Sequence, residues 1–68
     1  MIEIGKRIKE LRQDRGLTQK QLADILFVSQ DTISLWELGK LLPSITNLIA
    51  ICDFFKVSAD DLLGRIKW

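Results

Sequence analysis

The 68-residue sequence contains no histidine and a single cysteine. The first absence excludes imidazole catalysis and histidine metal ligation. The second excludes an internal disulfide and a cysteine-rich zinc site. The longest apolar run is five residues, Leu48 to Cys52, far short of a membrane span. The opening Met-Ile-Glu-Ile-Gly lacks the basic-then-apolar layout of a signal peptide. A soluble, cytoplasmic protein with no metal and no cofactor is the expectation. No nucleophile–base pair is visible, so an enzyme is not expected. Proline occurs once, and three of the four glycines sit where a helix would end. No segment alternates with period two over a strand's length, so no sheet is expected.

Net charge is nearly absent as well, at +1. That value predicts no polyanion partner by itself, but the distribution is uneven. Residues 1–20 carry six bases and three acids, and the remainder carries four bases and six acids. A basic first third permits nucleic-acid binding and equally fits a solvated helix face. Lys6, Arg7 and Lys9 are read as such a face.

What is present is an ordinary globular balance, 47% hydrophobic and 28% charged, which argues against disorder. The length suits one domain over residues 1–68. Such a domain buries only about 60% of the surface its unfolded chain exposes, so its core is thin. The periodicity predicts five short helices and an all-α bundle. Helix 1 is expected over about Ile2 to Arg15, with Ile4, Ile8 and Leu11 at helical spacing. Helix 2 spans about Gln19 to Leu26, with Thr18 as N-cap and Gln21 completing a capping box. Ser29 caps a third helix over about Gln30 to Leu38. Ser44 caps a fourth, Ile45 to Phe55, apolar on most sides and therefore expected at the centre of the bundle. Ser58 caps a fifth, Ala59 to Leu63, where Asp60 and Asp61 suit the helix dipole. Cys52, among Leu48, Ile51 and Phe55, is expected to be a core thiol.

The informative feature is the pair of capped helices within residues 18–38. Joined by a turn of three or four residues, they cannot lie antiparallel and must cross steeply, as in a helix-turn-helix. In that motif the second helix enters the major groove of DNA. With Ile33 and Trp36 on the buried side of helix 3, the opposite side presents Gln30, Asp31, Ser34 and Leu35. Glutamine can pair with adenine, aspartate can accept from the cytosine amino group, and leucine can pack on a thymine methyl. Gln19, at the start of helix 2, is placed for a phosphate oxygen, as is Lys40 just after helix 3.

Residues 4–64 resemble the Cro/C1-type helix-turn-helix domain, or Xre family, of phage repressors and small bacterial regulators. The resemblance rests on Ile4-Gly5-Lys6-Arg7-Ile8, Leu11-Arg12, and Gly16-Leu17-Thr18-Gln19 with Leu22-Ala23. It continues through Val28-Ser29, Thr32-Ile33-Ser34, Trp36-Glu37 with Gly39, Pro43-Ser44, Val57-Ser58 and Leu62-Leu63-Gly64. It implies a compact five-helix bundle of the lambda-repressor-like type, operator binding as a homodimer and control of transcription. By position it assigns base reading to Gln30, Asp31, Ser34 and Leu35. Phosphate contact falls to Gln19, Lys40 and Thr32, and a buried structural ion pair to Arg12 and Glu37.

Two departures stand out. Many relatives have glycine where this chain has Phe27, so Phe27 must either strain or adopt a different turn. Leu38 replaces a residue that is often polar. With Leu41 and Leu42 it forms an apolar cluster, expected to cap the core and otherwise to meet a partner. These departures define the competing function, a protein-interaction module on the same fold, such as an antitoxin or a regulator subunit that does not bind DNA. Tail residues 65–68, beside the helix 4–helix 5 side, are the candidate surface for self-association.

Overall fold

The computed structural model describes residues 4–64. The described chain is helical, in the order α1 (Ile4–Asp14), α2 (Gln19–Leu26), α3 (Gln30–Glu37), α4 (Ile45–Phe55) and α5 (Ala59–Leu62). No strand occurs among the described residues. None of these helices is long and apolar enough to cross a membrane.

Each helix start after the first is fixed by a hydroxyl. Thr18, Ser29, Ser44 and Ser58 each accept a hydrogen bond from the backbone N–H three residues on. At Thr18 the box is complete, because the Thr18 N–H also donates to Gln21 Oε1 at 2.8 Å. The ends are set by left-handed residues. Two of these are not glycine: Phe27 and Lys56 both sit at φ 59°. Phe27 therefore takes the strained course, and the residue is 94% exposed.

The core comprises Ile4 and Ile8 of α1, Leu22, Ala23 and Leu26 of α2, Ile33 and Trp36 of α3, Ile51 and Phe55 of α4, and Leu62 of α5. Every helix contributes, as a thin core requires. α3 packs against both α1 and α2. The approach of α1 to α3 is close: a Cβ added at Gly5 would lie 1.9 Å from the carbonyl oxygen of Trp36.

This arrangement corrects two expectations. α4 is not the central helix. It buries Ile51 and Phe55, while Ile45 is 77% and Ile49 56% exposed. Its apolar character comes from two faces, one toward the core and one outward. Leu38, Leu41 and Leu42 do not cap the core either, because all three are exposed. α1 is described from Ile4, and tail residues 65–68 lie outside the described residues.

Candidate nucleic-acid interface

α3 is positioned by its buried side. Ile33 and Trp36 are 0% and 1% exposed. At about 100° per residue, Gln30, Asp31, Ser34 and Leu35 fall within an arc of about 140° on the opposite side. Gln30, Asp31 and Leu35 are exposed and Ser34 is half-buried. These four are thus together on one outward face. The half-buried Thr32 is drawn into the helix cap, with its hydroxyl 2.9 Å from Ser29 Oγ. Lys40 is exposed, and its backbone N–H donates to the Leu35 carbonyl at 2.9 Å, which holds it beside the last turn of α3.

A polar cluster locks α2 and α3 to α1. Arg12 makes a two-pronged pair with Glu37: Nε to Oε2 at 2.7 Å and Nη2 to Oε1 at 3.1 Å. Their side chains are only 11% and 4% exposed. The remaining guanidinium edge donates from Nη1 to the Leu17 carbonyl at 2.8 Å. Gln19 joins the cluster, donating from Nε2 to Glu37 Oε1 at 3.0 Å. One cluster therefore ties the body of α1, the α1–α2 turn, the first residue of α2 and the last of α3. An amide has two N–H donors, so the bond to Glu37 leaves Gln19 one more to offer.

Reading the sequence missed the Gln19–Glu37 bond. It also missed a second strut, in which Arg7 donates from Nε to Asp61 Oδ1 at 3.1 Å and from Nη2 to Oδ2 at 3.3 Å. This bond to Asp61 holds the Arg7 pKa above the ordinary guanidinium value. Asp61 thus joins α5 to α1 in addition to lying in the first turn of α5. A third link has Arg15 Nη2 donating to the Phe55 carbonyl at 3.3 Å. Its guanidinium stands 5.6 and 5.5 Å from the ring centroids of Phe54 and Phe55, closing the end of α4. No local pattern marks these pairs, because their partners are 18 to 54 residues apart.

The electrostatics of the α3 face are unusual for a surface that would meet phosphate. From Ser29 to Gly39 there are two acids and no base. Glu37 is neutralised by Arg12. Asp31 makes no ion pair or side-chain hydrogen bond among the described residues. The chain from Leu41 to Cys52 carries no charge at all. It contains Leu41, Leu42, Ile45 and Ile49, half of the exposed large hydrophobic residues among those described, with Leu38 nearby in sequence.

Residues 8–62 match the family model described as Helix-turn-helix. This chain belongs to the Cro/C1-type helix-turn-helix family. It is 44% identical over 63 residues to the HTH-type transcriptional activator BcrR of Enterococcus faecalis, a match covering 93% of this chain and 31% of that protein. It is 39% identical over 64 residues to the antitoxin PezA of Streptococcus pneumoniae serotype 4, covering 94% of this chain and 40% of that protein. The chain thus spans less than half the length of either relative. Among solved structures, it superposes on the P22 c2 repressor, crystallised in complex with a synthetic operator, with a TM-score of 0.88 and 30% identity. That match covers 97% of this chain and 100% of the repressor chain. The five-helix, lambda-repressor-like fold of this helix-turn-helix domain follows from the same likeness.

Proposed function

We propose that this helix-turn-helix chain is a sequence-specific DNA-binding transcriptional regulator, repressor-like, that inserts α3 in the major groove as a homodimer. The observation that carries this reading is the outward arc of Gln30, Asp31, Ser34 and Leu35, held rigidly by the buried Ile33 and Trp36 and by the Arg12–Glu37–Gln19 cluster. The major groove is about 12 Å wide and admits one helix. Gln19, Thr32 and Lys40 are the proposed phosphate contacts. Lys40 does so with an exposed ammonium, Gln19 with its second amide N–H, and Thr32 from the first turn of α3.

The homodimer is supported by size. The longest Cα extent of the chain is 29 Å. Successive major grooves on one side of a duplex lie roughly 34 Å apart. One copy reaches one half-site, so a two-fold site takes two copies. The exposed apolar residues Leu38, Leu41, Leu42, Ile45 and Ile49 are the surface that supports pairing. The same surface, with Phe27, favours the second reading, a module that holds another protein.

Selection of bound duplexes from a random pool tests the proposal. The expected result is an enriched site with two-fold symmetry and half-sites about 10 base pairs apart. A pool that stays random, with the chain folded and dimeric, overturns the DNA reading and leaves the protein-partner reading standing.

A further inference from the structure

Asp31 is an unexpected residue for a helix that would lie between two rows of phosphates. It is exposed, lies in the first turn of α3, and is the acid on the reading arc that no cation of the described residues neutralises. A carboxylate at the middle of a groove about 12 Å wide is about 6 Å from either phosphate row. That is less than the Debye length of about 8 Å at physiological salt, so the repulsion is only partly screened. The penalty falls on every DNA sequence alike. Only a base edge that donates a hydrogen bond can offset it.

The base edges divide cleanly on this criterion. A carboxylate is an acceptor without a donor. Guanine presents two acceptors to the major groove, and thymine presents an acceptor and a methyl. Adenine presents an amino donor next to an acceptor, and cytosine presents an amino donor alone. Cytosine is therefore the edge that returns a hydrogen bond without setting another acceptor against the carboxylate.

We propose that Asp31 fixes one base pair of the recognised site as cytosine on the contacted strand, and that it does so chiefly by penalising the other three bases. The proposal rests on groove reading by α3 and adds the identity of a base and the sign of the effect. Asp31 weakens binding to DNA in general and strengthens discrimination. Gln30 beside it supplies an amide that reads a neighbouring pair, and Leu35, one turn on, an apolar surface.

A purely structural role for Asp31 is the favourable placement of an acid in the first turn of a helix. That role affects folding and leaves base preference untouched, so the two separate experimentally. The test repeats the random-pool selection with Asp31→Ala and Asp31→Asn, alongside titration of a random duplex at fixed salt. Because Asp31 is exposed, both variants are expected to keep the circular dichroism spectrum of the parent. With Asp31→Ala, one position per half-site loses its cytosine while the rest of the motif persists. The random duplex binds several-fold more tightly, and the ratio of specific to random affinity falls about tenfold or more. With Asp31→Asn, that position shifts toward adenine, which pairs with an amide through two hydrogen bonds. If the parent enriches a site and both variants enrich the same site with cytosine retained, this assignment is wrong while groove reading stands. Random-duplex binding that weakens in Asp31→Ala contradicts the repulsive role. A parent that enriches nothing overturns both readings.

Discussion

Gly5 and Phe27 are the two residues whose backbone positions are most constrained, and they call for opposite substitutions. At Gly5 a methyl group would meet the Trp36 carbonyl at 1.9 Å, a backbone atom that cannot swing aside. Gly5→Ala is expected to push α1 off α3 and destabilise the domain by about 1–3 kcal/mol, the usual cost of overpacking. Phe27 has the reverse character. It holds φ 59° and is 94% exposed, so the side chain contributes little packing and the backbone bears the strain. Phe27→Gly is expected to stabilise by about 1 kcal/mol. For a domain of this size that raises Tm by about 4–8 °C. Calorimetry checks both signs. Glu37→Ala is the severe case. It leaves Arg12, whose side chain is 11% exposed, without its carboxylate and frees the Gln19 amide. The loss is expected to be about 3–5 kcal/mol, a large part of the total stability of a small domain. Lys20→Ala removes an exposed pair to Asp24 and should cost less than about 0.5 kcal/mol. Chemical denaturation of the two variants side by side measures the contrast. Of these residues, the capping hydroxyls and Phe27 were legible in the sequence because their chemistry is local. Gly5 was not, because a glycine inside a helical pattern says nothing about which backbone approaches it.

At the scale of elements, α2 and α3 were readable in full. Each begins at a hydroxyl cap, buries one side and ends within a residue of its expected limit. α4 was misread for a physical reason. A helix apolar on most sides satisfies the pattern of a central helix, yet the same composition arises when one face meets the core and another faces outward. Leu38, Leu41 and Leu42 were misread on the same ground, because hydropathy does not distinguish core from partner surface. The outward face of α4 gives a direct prediction. Ile45→Asp combined with Ile49→Asp should leave the monomer's stability within about 0.5 kcal/mol, since both residues are exposed. Sedimentation at high concentration should then show self-association lost. On the core side, half-buried Cys52 has its thiol pKa raised, first by burial and then by Asp53 and Asp61. The raised pKa keeps the thiol protonated at neutral pH. It is therefore expected to react more slowly with a thiol reagent in the folded chain than after unfolding. Because the folded pKa lies above the unfolded one, the native state loses stability as pH rises through the unfolded thiol range.

The whole molecule is organised so that a thin core and three long-range polar links hold one helix at fixed orientation. The Arg12–Glu37, Arg7–Asp61 and Arg15–Phe55 contacts anchor α3, α5 and α4 to the first helix and the turn after it. Arg12 pairs as the resemblance implies, whereas Arg7, expected on a solvated face with Lys6 and Lys9, is paired with Asp61, and Arg15 is held at the end of α4. The bases left for DNA are few, and the reading arc carries an acid. The binding isotherm should accordingly depend less steeply on salt than that of a strongly basic binder. Lys40 is the one cation among the proposed phosphate contacts, so each copy neutralises about one phosphate and the slope of log K against log salt is about −1 per copy. The family and its fold were legible because the motif residues run through most of the chain, and the family match spans residues 8–62. The polar links were not, because each depends on side chains that only the assembled bundle brings together.

The central claim is that the outward arc of α3 reads DNA, and the affinity of one triple variant tests it most directly. Gln30, Asp31 and Ser34 are replaced together by alanine, and binding is measured on the duplex the parent selects, with Tm followed in parallel. The account predicts a Tm within a few degrees of the parent and a loss of at least about a hundredfold in affinity for that duplex. A variant that binds the selected duplex as tightly as the parent would contradict it.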